Sequence, residues 1–171
     1  MILPIEGDDA AGLKPGTPTV FLNTPFVEHE PMFSPDRRWL AYWSNETGRD
    51  EVYVRPFPGP GGKWQISTSG RTCPVWSRTK HELAYGTANG QIMMAPFTVV
   101  GDSFRAEKPR LWSDGQFALR GPNRMFDLHP DGEPFALAPA QQTPGGGKRD
   151  RVTFLFNFFD ELRRIAPTTT R

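Results

Sequence analysis

Apolar residues along this chain come in short bursts, some alternating with polar positions and some unbroken, and each burst is closed by Gly, Pro, Asp, Asn or Ser. Alternation with period two, bounded by turn residues, is the signature of β-strands joined by tight turns. The pattern predicts strands at Ile2 to Ile5 and Thr19 to Leu22 around a turn region from Asp8 to Thr17. Four follow in sequence at Pro31 to Phe33, Trp39 to Ser44, Glu51 to Phe57 and Lys63 to Ser67. A second set of four is Pro74 to Trp76, Glu82 to Gly86, Gln91 to Phe97 and Pro109 to Trp112. The last set is Arg124 to Leu128, Pro134 to Ala138 and Val152 to Phe156.

The bursts repeat in register. FSPDRRWLAYWSN, WSRTKHELAYGTA and LHPDGEPFALAPA share one order: an apolar residue, a tight turn, then an apolar strand. Tyr42, Tyr85 and Leu137 occupy one position in the three copies, at offsets of 43 and 52 residues, close to the ~40–50-residue blade of a β-propeller. A single blade cannot bury both of its faces, so blades stack on one another. The expected fold is all-β, a partial β-propeller of about three blades of four antiparallel strands. Its blades lie at about 1–24, 28–68, 72–113 and 123–156, so the propeller spans 1–156.

The chain after Phe156 has a different period. Phe158, Leu162 and Ile165 recur at helical spacing, Asp160 and Glu161 precede Arg163 and Arg164 as the helix dipole favours, and Pro167 stops the run. A short amphipathic C-terminal helix and tail are expected over 157–171. The polar, Gly-rich stretch from Pro139 to Asp150 reads as a loop.

Composition agrees with the pattern. The 13 Phe, 5 Trp and 3 Tyr suit half-buried pleated surfaces, and 18 Pro with 17 Gly exclude long helices almost everywhere. A net charge of +1, with 20 basic residues scattered among 19 acidic ones, gives no basic run and argues against nucleic acid. The single cysteine, Cys73, cannot form an internal disulfide and reads as a packing thiol. The opening MILPIEGDDAAG is too short in apolar residues for a signal peptide or a span, so no direct membrane insertion is expected.

The turn and strand residues resemble TolB-type (WD40-like) propeller repeats, which are marked by a Ser-Pro-Asp-Gly turn before an Ile-Ala-Phe or Leu-Ala-Tyr strand. Ser34, Pro35, Asp36, Leu40, Ala41 and Tyr42 match this pattern best. The second copy keeps Ser77, Leu83, Ala84 and Tyr85 but has Arg78 and Thr79 for Pro-Asp, and the third keeps Pro130, Asp131 and Gly132 after His129. The stretches SNETGRDEVYVRPFPGPGGKWQIS and FNFFDELRRIAP further resemble the C-terminal propeller of bacterial serine/threonine kinase-linked proteins. That resemblance implies a catalytic domain, often with a membrane span, in a longer parent. The kinase's Gly-rich loop, His-Arg-Asp loop and Asp-Phe-Gly are not among these residues, so its activity does not carry over.

Candidate chemistry fails its spacing tests. Gly145-Gly146-Gly147-Lys148 and Gly61-Gly62-Lys63 lack the distant Gly and the following Ser or Thr of a phosphate loop. His29, His81 and His129 show no metal-ligand spacing, and no Gly-x-Ser-x-Gly elbow supports a nucleophile. Asp36 and Asp131 are read as Asx-turn residues, so the structural turn set is Ser34, Pro35, Asp36, Pro130, Asp131 and Gly132. Asn45-Glu46-Thr47 matches a glycosylation sequon, a weak signal by itself.

Propeller geometry offers a binding site instead. Residues just ahead of each innermost strand would ring one mouth of the central channel, namely His29 and Glu30, Arg71 and Thr72, and Asn123 and Arg124. A solvated loop is the competing interpretation of these positions.

The expected function is a non-catalytic binding or interaction module, the C-terminal part of a larger sensor or kinase-linked protein, with no cofactor and no metal. The expected partner is a protein or peptide, or further N-terminal blades of the same polypeptide. Two alternatives are the propeller of a prolyl-oligopeptidase-type peptidase, which needs a downstream hydrolase domain, and a freestanding periplasmic TolB-like partner. Localisation follows any parent: extracytoplasmic on a membrane-anchored one, cytoplasmic otherwise. Three blades are too few to close a ring, so an open arc with self-association or dependence on further strands is expected.

Overall fold

The structure is a computed structural model that describes residues 1–8, 12–68, 73–113, 126–129 and 135–137. The described residues form antiparallel β-sheets and no helix. A short hairpin comes first, β1 (Ile5–Glu6) on β2 (Lys14–Pro15), extended by a bridge between Ile2 and Thr19. The second arm of this hairpin therefore lies within 14–19 and not at Thr19 to Leu22. The expected turn region from Asp8 to Thr17 thus includes Lys14 and Pro15, which are paired as β2.

The first full sheet has the order β3 (Glu28–Phe33), β4 (Trp39–Ser44), β5 (Glu51–Pro56), β6 (Trp64–Gln65). The Ser34-Pro35-Asp36 turn sets its first hairpin. Ser34 Oγ accepts the Trp39 N–H at 3.0 Å, and Asp36 Oδ1 accepts the Arg38 N–H at 3.1 Å. Arg37 takes φ 62°, the left-handed conformation that a glycine adopts without strain.

The second sheet has β7 (Val75–Trp76), β8 (Glu82–Gly86) and β9 (Ile92–Val100) in sequence. Its outer edge is made in two pieces. β10 (Ser103–Ala106) pairs with the far half of β9, and β11 (Arg110–Ser113) with the near half. A Gly101-Asp102 turn joins β9 to β10 in a two-residue hairpin, with Gly101 at φ 58°. The sequence pattern had ended the third strand at Phe97 and missed β10. A third pair, β12 (Phe126–Leu128) on β13 (Phe135–Leu137), follows.

The sheets stack face to face, and equivalent residues point the same way in each. Trp39, Ala41, Val52 and Val54 on the first sheet pack against Leu83 and Tyr85 on the second. One repeat later, Ala84, Ile92 and Met94 on the opposite face of the second sheet pack with Phe126 and Leu128 of the third. Ala41 and Ala84 thus face forward along the stack, and Leu83 and Tyr85 face back. Two bonds between first strands fix the spacing of the first two sheets. Trp76 Nε1 donates to the Met32 carbonyl at 2.9 Å, and the Cys73 N–H donates to Glu30 Oε2 at 2.7 Å.

The β9–β10 hairpin extends this contact. Phe104 is buried with its ring centroid 5.2 Å from Trp39, 5.8 Å from Trp64 and 4.9 Å from Phe97. The hairpin's aromatic face therefore bridges the two sheets. The C-terminal helix expected over 157–171, the strand at Val152 to Phe156 and the loop before it lie outside the described residues.

Candidate functional site

The residues expected at a channel mouth are described only in the first copy. His29 and Glu30 lie in β3, whereas Arg71, Thr72, Asn123 and Arg124 lie outside the described residues. β3 carries a register shift between His29 and Met32, so Glu30 and Pro31 together stand opposite Tyr42. Glu30 takes φ 51° in this bulge, and its carboxylate turns toward the next sheet. There it accepts the Cys73 N–H and, at 3.4 Å, the Cys73 thiol.

Ladder register makes Cys73 the counterpart of Glu30. Met32 pairs with Ala41 and Val75 pairs with Ala84, so Glu30 and Cys73 stand at one repeat position, and both have positive φ. A carboxylate engaged in this way holds two sheets together. His29 stacks on Trp43 with centroids 5.0 Å apart and an interplanar angle of 13°.

His29 and Glu28 rim a groove of about 340 Å³ on the back of the first sheet, floored by Leu40 and Tyr42 and walled by Ile2, Leu3 and Phe21. Burial pushes the Tyr42 phenol up to about 12; Arg55 opposes this, and Glu46 and Glu28 add to it. Tyr85, in the same place one repeat on, is also raised to about 12 by burial, with Glu51 adding to it.

At the other end of β3 lies a larger cleft of about 560 Å³. Three turns meet there: 34–38, 77–81 and the tip of the β9–β10 hairpin. Ser34, Pro35 and Asp36, expected as turn residues, line it. Pro130, Asp131 and Gly132 lie outside the described residues. Arg38 reaches across the cleft, donating to the Gly101 carbonyl at 2.5 Å and pairing with Asp102 at 3.1 Å. In the second turn Ser77 Oγ accepts the Thr79 and Lys80 N–H groups at 3.4 and 3.1 Å. The sequence did carry the signal for this cleft. Turns one repeat apart must lie side by side once their sheets stack.

A buried acid elsewhere also escaped the sequence reading. Glu51 is fully enclosed, pairs with Arg49 Nε at 2.8 Å and accepts the Ser67 hydroxyl. Ser67 Oγ in turn accepts the Val52 N–H at 2.8 Å, so the group ties the start of β5 to the chain beyond β6. Among the described residues no cluster of His, Cys, Asp and Glu is arranged to hold a metal ion.

No protein-family model matches the chain, and no curated protein matches it.

Proposed function

We propose that this chain is a non-catalytic interaction module, an arc of a TolB-like β-propeller that works within or alongside a larger polypeptide. One observation carries the proposal: equivalent residues of successive sheets face the same way, so each forward face receives the back of the next sheet. That is the packing of propeller blades and of repeat arrays generally, in which each unit contacts only its neighbours. The bonds between first strands, from Trp76 to Met32 and from Cys73 to Glu30, suit neighbouring inner strands about an axis.

The arc leaves a surface for a partner. Among the described residues, the β1–β2 hairpin and the chain through Leu22 stand behind the first sheet, and Leu3, Ile5, Leu13 and Val20 there are exposed. Apolar side chains beside strand edges recruit further strands. The partner is another protein or peptide, or further strands of the same polypeptide.

Light scattering on the purified chain at micromolar concentration tests this. The expected result is self-association that weakens when Leu3 and Ile5 are changed to Gln. A monodisperse monomer overturns the arc, and kinase or peptidase turnover abolished by a single substitution overturns the non-catalytic role.

A further inference from the structure

We infer that the groove behind the first sheet is a binding site for a neutral, mainly apolar small molecule that carries one hydrogen-bond-accepting oxygen. This goes beyond the proposed interaction role and does not depend on it, since it needs only β3, β4 and the N-terminal chain that stands over them.

The groove is walled by groups that already have their partners. Ile2 and Thr19, in the chain that covers it, exchange both backbone hydrogen bonds at 2.8 Å. Phe21 and Phe33 line it and both rest on Phe57 outside it, with centroids 5.8 and 4.8 Å apart, so its aromatic side is held in place. A cavity of ~150 Å³ lined by apolar side chains of this kind holds a benzene ring. At about 340 Å³ the groove has room for a ring with a short chain, and it lies at the small end of the ~300–1,000 Å³ range of ligand sites.

One polar group in it is left over. Tyr42 is 3% exposed, and its ring is stacked on Tyr53 with centroids 5.9 Å apart. Its hydroxyl makes no hydrogen bond among the described residues and is not sealed off within the protein, so it opens on the groove that Tyr42 lines. Burial pushes this phenol up to about 12, so at neutral pH it is protonated and can donate. A ligand oxygen would supply the acceptor that the protein does not.

Charge decides against an ion. The charged groups lining the groove are the Glu28 carboxylate and the Met1 amine, which are opposite in sign, and Glu28 already accepts the Thr24 hydroxyl. Arg55 and Glu46, which act on Tyr42 from outside the lining, are opposite in sign as well. An ionic ligand would lose hydration there with no net counter-charge to replace it.

Calorimetric titration of the purified chain with 4-phenyl-2-butanone tests the site. Butylbenzene, which lacks the oxygen, and the ions 4-phenylbutyrate and 4-phenylbutylammonium serve as comparison ligands. The ketone is expected to bind at one saturable site, and butylbenzene about threefold to tenfold more weakly, the value of one neutral hydrogen bond. Both ions should bind more weakly than the ketone. Tyr42→Phe should bring the ketone down to the level of butylbenzene and leave butylbenzene unchanged, while Val100→Ala on the remote hairpin leaves both unchanged. Because the hydroxyl removed is unbonded, the thermal midpoint of Tyr42→Phe should not fall. The proposal is overturned by no saturable binding of the ketone, by equal binding of butylbenzene or tighter binding of either ion, by undiminished ketone binding in Tyr42→Phe, or by an equal loss in Val100→Ala.

Discussion

Replacing Phe104 with Ala should cost this protein a large part of its stability, although the residue belongs to no repeat motif. Phe104 is only 2% exposed, and its ring meets Trp39, Trp64, Trp76 and Phe97 at centroid distances of 5.2, 5.8, 6.2 and 4.9 Å. Truncating a buried Phe to Ala costs ~3–5 kcal/mol. Aromatic pairs add ~0.5–1.5 kcal/mol each beyond area burial. Because the four rings come from two sheets and the hairpin itself, the cavity cannot close by shifting one element, and a loss near 4 kcal/mol is expected, about the top of the single-substitution range. Phe104→Leu keeps most of the apolar volume and should cost about 1–2 kcal/mol.

Urea unfolding followed by tryptophan fluorescence measures this directly, since Trp39, Trp64 and Trp76 all border the site. Val100→Ala is the comparison, because Val100 sits at the tip of the same hairpin and is 77% exposed; its change should stay within ~0.5 kcal/mol. A loss below about 1 kcal/mol for Phe104→Ala, or one equal to that of Val100→Ala, would refute the bridging role of the hairpin.

Three further outcomes follow from the same geometry. Arg37→Gly should raise the thermal midpoint by about 2–4 °C: a left-handed non-Gly residue costs ~1–2 kcal/mol and the added chain entropy of Gly returns only part of it; a lower midpoint in calorimetry would count against strain at this turn. Glu30→Ala should cost about 1–3 kcal/mol in urea unfolding by depriving the Cys73 N–H of its acceptor, and an unchanged midpoint would show the two sheets to be held otherwise. Tyr42, Tyr53 and Tyr85, the only tyrosines, are all raised, chiefly by burial. Their stabilisation is complete below pH ~10, the unfolded value, and is lost as pH rises through the folded values near 12 of Tyr42 and Tyr85. Tyrosinate absorbance should therefore appear together with unfolding, and a gradual rise near pH ~10 in folded protein would contradict it.

Much of the strand pattern was legible in the sequence, and the reason is visible in single strands. Trp39–Ser44 and Glu82–Gly86 match their sequence readings residue for residue. Both are apolar runs bounded by turn residues, and both bury side chains on two faces. The misses lie where one residue type has two uses. Pro15 ends β2 inside a stretch that reads as a turn region, and Gly101-Asp102, a hairpin signal between β-formers, adds β10 between two strands of the regular pattern. The candidate sites were less legible. A sequence shows that Glu30 is polar and precedes a strand, but not that a bulge turns its carboxylate onto Cys73. The repeat offset of 43 residues, by contrast, does imply that the two turns lie side by side, as they do in the cleft.

The copies differ where packing does not constrain them. Leu40, Ala41 and Tyr42 recur unchanged as Leu83, Ala84 and Tyr85, all of them buried. Altering any of these removes contacts with a neighbouring sheet or overfills the space between sheets. Pro35, Asp36, Arg37 and Arg38 become Arg78, Thr79, Lys80 and His81, and all eight are exposed. A turn needs only some acceptor for its inner N–H groups, which Asp36 supplies in one copy and Ser77 in the other. Once the serine hydroxyl suffices, the neighbouring positions can change charge with little effect on the fold. The stacking that fixes the strands also brings these two turns together beside the β9–β10 hairpin, so the surface they form can differ in charge while the sheets stay as they are.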